Sequence, residues 1–286
     1  MSPLKFTKFH GFGNDYIVLE KNDLPVSTDL SALAMHICDR YKGAGSDGIA
    51  VLERLAADDA DFFCEIINPD GSVAGFSGNG TRCAVAYLHF NNIWDEPGLR
   101  LKTRSGIKNY HLIEATTAGH FRFEAEIGVP AFAASDIPFA SGGLQVIDSE
   151  VRFGGDTFLV SCVNVGNPVA CIFVDDFDLD WRKAGRGLEV HEMFPERANI
   201  VFVRVIDAEN IEIRIWERGA GETSASGTCS SGAAVLSAFT GRTGRRVNVL
   251  SEGGVTSVDW RDDGEILLTG DADLVYRGEW PTEISS

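Results

Sequence analysis

Asn68-Pro69-Asp70-Gly71, running on to Ser77-Gly78-Asn79-Gly80, and Glu217-Arg218-Gly219, running on to Ser226-Gly227-Thr228, repeat one local pattern. In each, a polar residue, Asn68 or Glu217, is followed nine positions later by a Ser-Gly step. The step then enters an Ala-rich apolar run, Thr81-Arg82-Cys83-Ala84-Val85-Ala86-Tyr87-Leu88 or Gly232-Ala233-Ala234-Val235-Leu236, which reads as a buried helix. Serine is a favoured N-cap residue, so Ser77 and Ser226 mark two helix starts. A helix start offers unpaired N–H groups and the positive end of the dipole, and a neighbouring Gly lets an anion approach the backbone closely. One such stretch is most simply a cap. Two of them point to a small acid gripped from both sides by facing helix ends.

Around these stretches the chain reads as many short strands and few helices. Phe6 to Glu20 forms two strands about a turn at Gly11 to Asp15, and Leu30 to Tyr41 has helical spacing. Gly43-Ala44-Gly45-Ser46-Asp47-Gly48 is followed by a strand and no Lys-Ser/Thr, so it reads as a turn, not a phosphate loop. Asp61 to Asn68 feeds the first helix start, and strands follow at Leu99 to Ser105, Tyr110 to Ala115 and His120 to Ile127. A Pro-, Ala- and Ser-rich stretch from Val129 to Gly143 places a domain crossing near Glu126. In the second half a helix is expected over Gly185 to His191. Strands are expected at Phe158 to Asn164, Ala170 to Val174, Asn199 to Val205, Ile211 to Glu217, Val247 to Leu250, Val255 to Trp260 and Glu265 to Thr269. Asn14-Asp15-Tyr16-Ile17-Val18 resembles Asn199-Ile200-Val201-Phe202-Val203, which suggests an internal repeat. The expected class is α+β: two similar domains, each a β structure wrapped around a central helix, with an active site at the domain interface. Residues 1–126, completed by about 271–286, form the first domain and 127–270 the second.

A length of 286 residues suits two domains that can each bury a core. The net charge of −17 is spread along the chain, which argues for a solvated surface and against nucleic acid as a partner. No apolar run is long enough for a membrane span, and Met1-Ser2-Pro3-Leu4-Lys5 has no signal-peptide character, so a cytoplasmic setting is expected. The six cysteines, Cys38, Cys64, Cys83, Cys162, Cys171 and Cys229, show neither a CxxC pair nor zinc-site spacing and read as reduced core residues.

Several separate motifs, in order, resemble the diaminopimelate epimerase family of cofactor-independent amino-acid racemases. They are Lys8-Phe9-His10-Gly11-Phe12-Gly13-Asn14-Asp15, Asn68-Pro69-Asp70-Gly71-Ser72, Gly78-Asn79-Gly80-Thr81-Arg82-Cys83, Gly166-Asn167-Pro168, Phe194-Pro195-Glu196-Arg197-Ala198-Asn199 and Glu217-Arg218-Gly219-Ala220-Gly221-Glu222-Thr223. The resemblance spans Phe6 to about Gly278. It implies a two-base reaction in which one cysteine thiolate removes a Cα proton and a second thiol protonates the other face, with no cofactor and no metal. It also implies interconversion of LL- and meso-diaminopimelate, in lysine and peptidoglycan biosynthesis. Asn14, Asn68, Asn167, Asn199 and Arg218 would contact the substrate's amino group and distal carboxylate, while Gly78-Asn79 and Gly227-Thr228 offer amides to the reacting carboxylate. Glu217 would serve Ser226 as a base or orient its hydroxyl.

Where the family pattern has its two cysteines and a histidine, this chain has Ser77, Ser226 and Val169. A hydroxyl is a far weaker acid than a thiol. Cys229 lies three positions beyond Ser226, about 4.5 Å along a helix, and reads mainly as core. Three functions stay open at this point: the epimerase with serines in the base positions, a same-fold isomerase or dehydratase of the proline or hydroxyproline type, and an amino-acid-binding homologue without catalysis. In each the partner is a small-molecule amino acid; a homodimer is left open.

Overall fold

The computed structural model describes residues 3–56, 59–140 and 143–281. Met1-Ser2, Ser141-Gly142 of the Pro-, Ala- and Ser-rich stretch, and residues 282–286 of the returning segment lie outside the described residues. The chain divides into two units, Met1–Ala125 with Gly270–Ser286, and Glu126–Thr269.

The first unit contains β1 (Leu4–Gly11), β2 (Asn14–Glu20), α1 (Leu30–Ile37), β3 (Ile49–Arg54), β4 (Phe62–Ile67), β5 (Val73–Ala74), α2 (Gly78–Phe90), β6 (Gly98–Thr103), β7 (Gly106–Ala115) and the start of β8 (His120–Gly128), whose last three residues belong to the second. The β1–β2 connection is a two-residue turn whose central residues, Phe12 and Gly13, both have positive φ, of 57° and 83°. That is the twist a tight hairpin needs. β2 is buried along most of its length. Ile17 and Leu19 pack against Leu33, Ala34 and Ile37 of α1, while α2 lies against β1 and β2. Burial on both faces explains why Tyr16-Ile17-Val18-Leu19 is an unbroken apolar run and does not alternate.

The second unit contains β9 (Ser149–Phe153), β10 (Asp156–Asn164), β11 (Pro168–Phe173), α3 (Trp181–Glu189), β12 (Asn199–Val205), β13 (Asn210–Glu217), β14 (Gly221–Thr223), α4 (Gly227–Phe239), β15 (Arg246–Ser251) and β16 (Gly254–Trp260). α4 lies against β10 and β11. Trp181, Ala184 and Leu188 of α3 pack with Ala170, Ile172, Ile200 and Phe202. A last strand, β17 (Ile266–Trp280), pairs at its start with β16 and further on with β1. No helix among the described residues is long and apolar enough to cross a membrane.

The two units repeat one pairing order. In the first, β1–β2 is antiparallel, β2–β3 parallel, β3–β4 and β4–β5 antiparallel, β4–β6 parallel and β6–β7 antiparallel. In the second, β10–β11, β11–β12, β12–β13, β13–β14, β13–β15 and β15–β16 follow the same sequence of senses. This corrects the expected match of Asn14-Asp15-Tyr16 with Asn199-Ile200-Val201. Asn199 opens β12, the counterpart of β3, whereas the counterpart of β2 is β11, opened by Pro168. Both runs are apolar because both strands are buried on two faces, so pattern alone cannot separate them.

Three other expectations shift. α1 stops at Ile37, short of Tyr41, because Asp39 Oδ1 accepts the amides of Tyr41 and Lys42 at 2.7 and 2.8 Å. That local bonding competes with a further helical turn. α3 begins at Trp181, earlier than Gly185, where Asp180 caps the amide of Lys183. The linker-like stretch contributes Ile137 and Phe139 to the second unit's core.

A charge cluster at the start of β2 is buried at Lys8 and Asp15 and exposed at Arg40. Lys8 Nζ lies 2.6 Å from Asp15 and donates to Gly45 O at 2.5 Å, while Arg40 reaches both Asp15, at 2.9 Å, and Asp47, at 2.7 Å. Burial alone would raise the Asp15 carboxyl, but the bonds from Arg40 and Lys8 overcome it and hold the group below its ordinary range. Its contribution to stability is therefore complete above the ordinary carboxylate value and is lost as pH falls through the depressed one. Asp15→Ala leaves Lys8 buried without its carboxylate, and a loss of about 3–5 kcal/mol is expected in urea denaturation at neutral pH.

Candidate active site

Ser226 is the N-cap of α4, yet its hydroxyl makes no bond to the helix amides. Instead it donates to Glu217 Oε2 at 3.0 Å, and Thr223 donates to the other carboxylate oxygen at 2.8 Å. β13 and β14 place these groups together: their pairing sets Glu217 opposite Gly221, and the short return brings Thr223 and then Ser226 back to the carboxylate. Burial raises the Glu217 carboxyl above its ordinary value, against the opposing bonds from Thr223 and Ser226. With the hydroxyl turned aside, the amides of Gly227, Thr228 and Cys229 have no partner among the described residues, and the first bond back is Ser230 N to Ser226 O at 2.9 Å. Those amides, at the positive end of a helix of 13 residues, suit a carboxylate.

Ser77 caps α2 differently. Its Oγ accepts the Gly80 amide at 3.1 Å and shares a 2.9 Å hydrogen bond with the Tyr16 hydroxyl. The amides of Gly78 and Asn79 have no partner among the described residues. Behind them Asn79 is held at both ends: its Nδ2 donates to Asn14 Oδ1 at 3.2 Å and its Oδ1 accepts from Arg82 at 2.5 Å. Arg82 is buried, donates to the carbonyl of Asp271 at 2.9 Å and stacks 5.3 Å from the Phe12 ring centre. Asn14 in turn donates to Asp47 at 2.8 Å. Asn14 and Asn79 thus brace the helix start, and Asn68 closes the turn before it by donating to Ser72 Oγ at 2.9 Å.

In the second unit, Arg218 forms an exposed fork. Its guanidinium donates to Asn167 Oδ1 at 3.0 Å and to the Glu196 carbonyl at 3.3 Å. No carboxylate pairs with it among the described residues, so the planar fork is available to one. Asn199, 1% exposed, holds it from behind: its Oδ1 accepts the Arg218 amide at 2.9 Å, and its Nδ2 donates to the Pro168 carbonyl at 3.1 Å. Asn199 is engaged at both amide atoms within the protein, whereas the amide nitrogen of Asn167 has no partner among the described residues. Glu189, which the sequence reading missed, accepts the Gly219 amide at 2.9 Å and the Trp216 indole at 3.0 Å. It lies 30 residues away from Gly219, so only the fold brings it there.

Val169 is fully buried in β11, and an added Cβ on Gly232 of α4 would come within 2.8 Å of it. The position is core, and a ring larger than valine would press on α4. All six cysteines are free and buried. Burial pushes the Cys83 thiol up to about 12, and burial together with the nearby Glu217 charge pushes Cys229 well above its ordinary value. Neither is a ready thiolate.

A family model for diaminopimelate epimerase matches residues 6–126 and 161–275. A diaminopimelate epimerase of Caldanaerobacter subterraneus subsp. tengcongensis is 39% identical over 278 residues, covering 96% of this chain and 99% of that one. Among solved structures, a Bacillus anthracis phenazine biosynthesis protein of the PhzF family superposes with a TM-score of 0.69 at 17% identity, covering 98% of this chain and 99% of that one. A hydroxyproline epimerase from Agrobacterium vitis, with bound trans-4-hydroxy-L-proline, gives 0.69 at 15% identity, covering 98% and 91%. These two share the fold.

Proposed function

The chain belongs to the diaminopimelate epimerase family, and from that premise we propose that it interconverts LL- and meso-diaminopimelate without a cofactor, moving the Cα proton through Ser77 and Ser226. Inversion at one carbon takes a base on one face and an acid on the other. We assign the base to Ser226 with Glu217 behind it, and the acid to Ser77.

The observation that carries this reading is the Ser226 hydroxyl, turned off its own helix to donate to a half-buried carboxylate. A serine hydroxyl is too weak an acid to be ionised near neutral pH, so alone it is not a base for a Cα proton. When Ser226 takes that proton, its own passes to Glu217, so the charge moves between a carbanion and a carboxylate and no alkoxide accumulates. Burial assists, because a raised Glu217 is a stronger base once ionised. The open amides of α4 and α2 suit the reacting carboxylate and the charge that grows on it as the proton leaves. Arg218 and Asn167 receive the distal carboxylate, which explains an exposed guanidinium fixed in place and lacking an acidic partner.

Chiral chromatography of purified protein incubated with LL-diaminopimelate tests the activity, with proline, hydroxyproline and glutamate in parallel. A mixture of LL and meso forms from the first substrate alone is the expected result. Turnover of a proline-type substrate without meso product would move the function to another isomerase of this fold.

A further inference from the structure

Tyr16 sits in β2, 5% exposed, among residues that read as plain strand core. Two glycines from different elements make room for its ring: a Cβ on Gly48 would lie 2.8 Å from Cε1, and a Cβ on Gly80, in the first turn of α2, 2.9 Å from the same atom. Through that gap the phenol reaches Ser77, O to Oγ at 2.9 Å, while the Gly80 amide fixes the serine oxygen from the other side. The ring therefore comes to the helix start with its polar tip on the hydroxyl of the N-cap serine.

Resting on the functional reading above, we propose that Tyr16 is a positioning residue that supplies protons through Ser77, the counterpart in the first unit of Glu217 behind Ser226. As the Ser77 O–H bond breaks and a new Cα–H bond forms on the substrate carbanion, the Tyr16 O–H proton moves to Ser77 Oγ, and the negative charge comes to rest on the phenolate. In the reverse direction the phenolate takes the Ser77 proton as Ser77 takes the one on Cα. The chemical reason is acidity. A tyrosine phenol ordinarily ionises near ~10, far below a serine hydroxyl, so the relay spares the reaction a free alkoxide. The Gly80 amide donates to the serine oxygen throughout, which steadies it as its proton leaves. The two units then carry partners of opposite kind. Glu217 is charged and accepts a proton, and Tyr16 is neutral and gives one.

Tyr16→Phe is the test, since it keeps the ring between Gly48 and Gly80 and removes only the hydroxyl. With LL-diaminopimelate, kcat should fall by about 100-fold or more while KM stays within about threefold. The same change is then made in a Ser77→Cys background, where a thiol ionises without help. There the cost of Tyr16→Phe should shrink below about tenfold, a non-additivity that packing alone would not produce. A kcat within about threefold of wild type in Tyr16→Phe, or an equal loss in both backgrounds, overturns the relay and leaves the epimerase reading standing. A wild-type protein that neither epimerises nor exchanges the Cα proton overturns both.

Discussion

Arg218→Met lowers kcat/KM for diaminopimelate by about 30- to 3,000-fold, equivalent to roughly 2–5 kcal/mol of lost charge-assisted bonding. The expected division of that loss follows from the chemistry. The distal carboxylate carries the same charge before, during and after proton transfer, so its contact with Arg218 is nearly uniform along the reaction, and its removal raises KM more than it lowers kcat. Steady-state kinetics check the split. Because the fork is exposed, added salt should weaken substrate binding in the wild type and do so less in Arg218→Met. Arg218→Lys should recover only part of the loss, since an ammonium can neither bridge two carboxylate oxygens nor keep both the Asn167 and Glu196 bonds. A kcat/KM unchanged in Arg218→Met would remove the second carboxylate from the substrate, and diaminopimelate with it.

Glu217→Gln reduces kcat by about 10²- to 10⁴-fold, the usual range for loss of a general base. The amide can still accept the Thr223 hydroxyl, so the local geometry survives while the proton acceptor does not. The pH dependence has a definite sign. Burial raises the Glu217 carboxyl, and only its ionised form can take the Ser226 proton. Wild-type kcat therefore rises with pH through that raised value, and the limb is absent in Glu217→Gln. Stability moves the other way. A carboxyl whose folded value lies above its unfolded one favours the native state at low pH, and that advantage is lost as pH rises through the folded value. At neutral pH the variant should thus be at least as stable as the wild type. Equal or greater stability with far lower turnover is the pattern of a site that gives up stability for chemistry.

Features written locally were legible in the sequence. Ser77 and Ser226 are N-cap residues before Ala-rich runs, and the nine-residue spacing from Asn68 and Glu217 betrays the strand and turn that precede each helix. The Ser226–Glu217 pair is what the family resemblance implied and not what the spacing dictates, since Asn68 at the same distance from Ser77 bonds Ser72 instead. What the sequence concealed depends on long-range pairing. Tyr16 lies 61 residues from Ser77, inside a run whose apolar neighbours mask its hydroxyl, and Gly48 and Gly80, which make room for its ring, already read as parts of a turn and a helix start. The Asn167–Arg218 bond joins groups 51 residues apart. Asn199 was legible as a polar residue at a strand start, but its burial against Arg218 and Pro168 was not, since a buried amide and a ligand-facing one are spelled alike. The reading of Asn14 and Asn199 as repeat partners failed for a similar reason: strand order is set by pairing sense, which composition does not record.

Proton NMR of LL-diaminopimelate with the wild-type protein in heavy water measures the proposed central step directly, in which one serine removes a Cα proton and the other delivers one. Early in the reaction the meso product should carry solvent deuterium at the inverted carbon while unreacted substrate keeps its hydrogen. Product with no deuterium, or substrate labelled as fast as product, would contradict two serines acting on opposite faces.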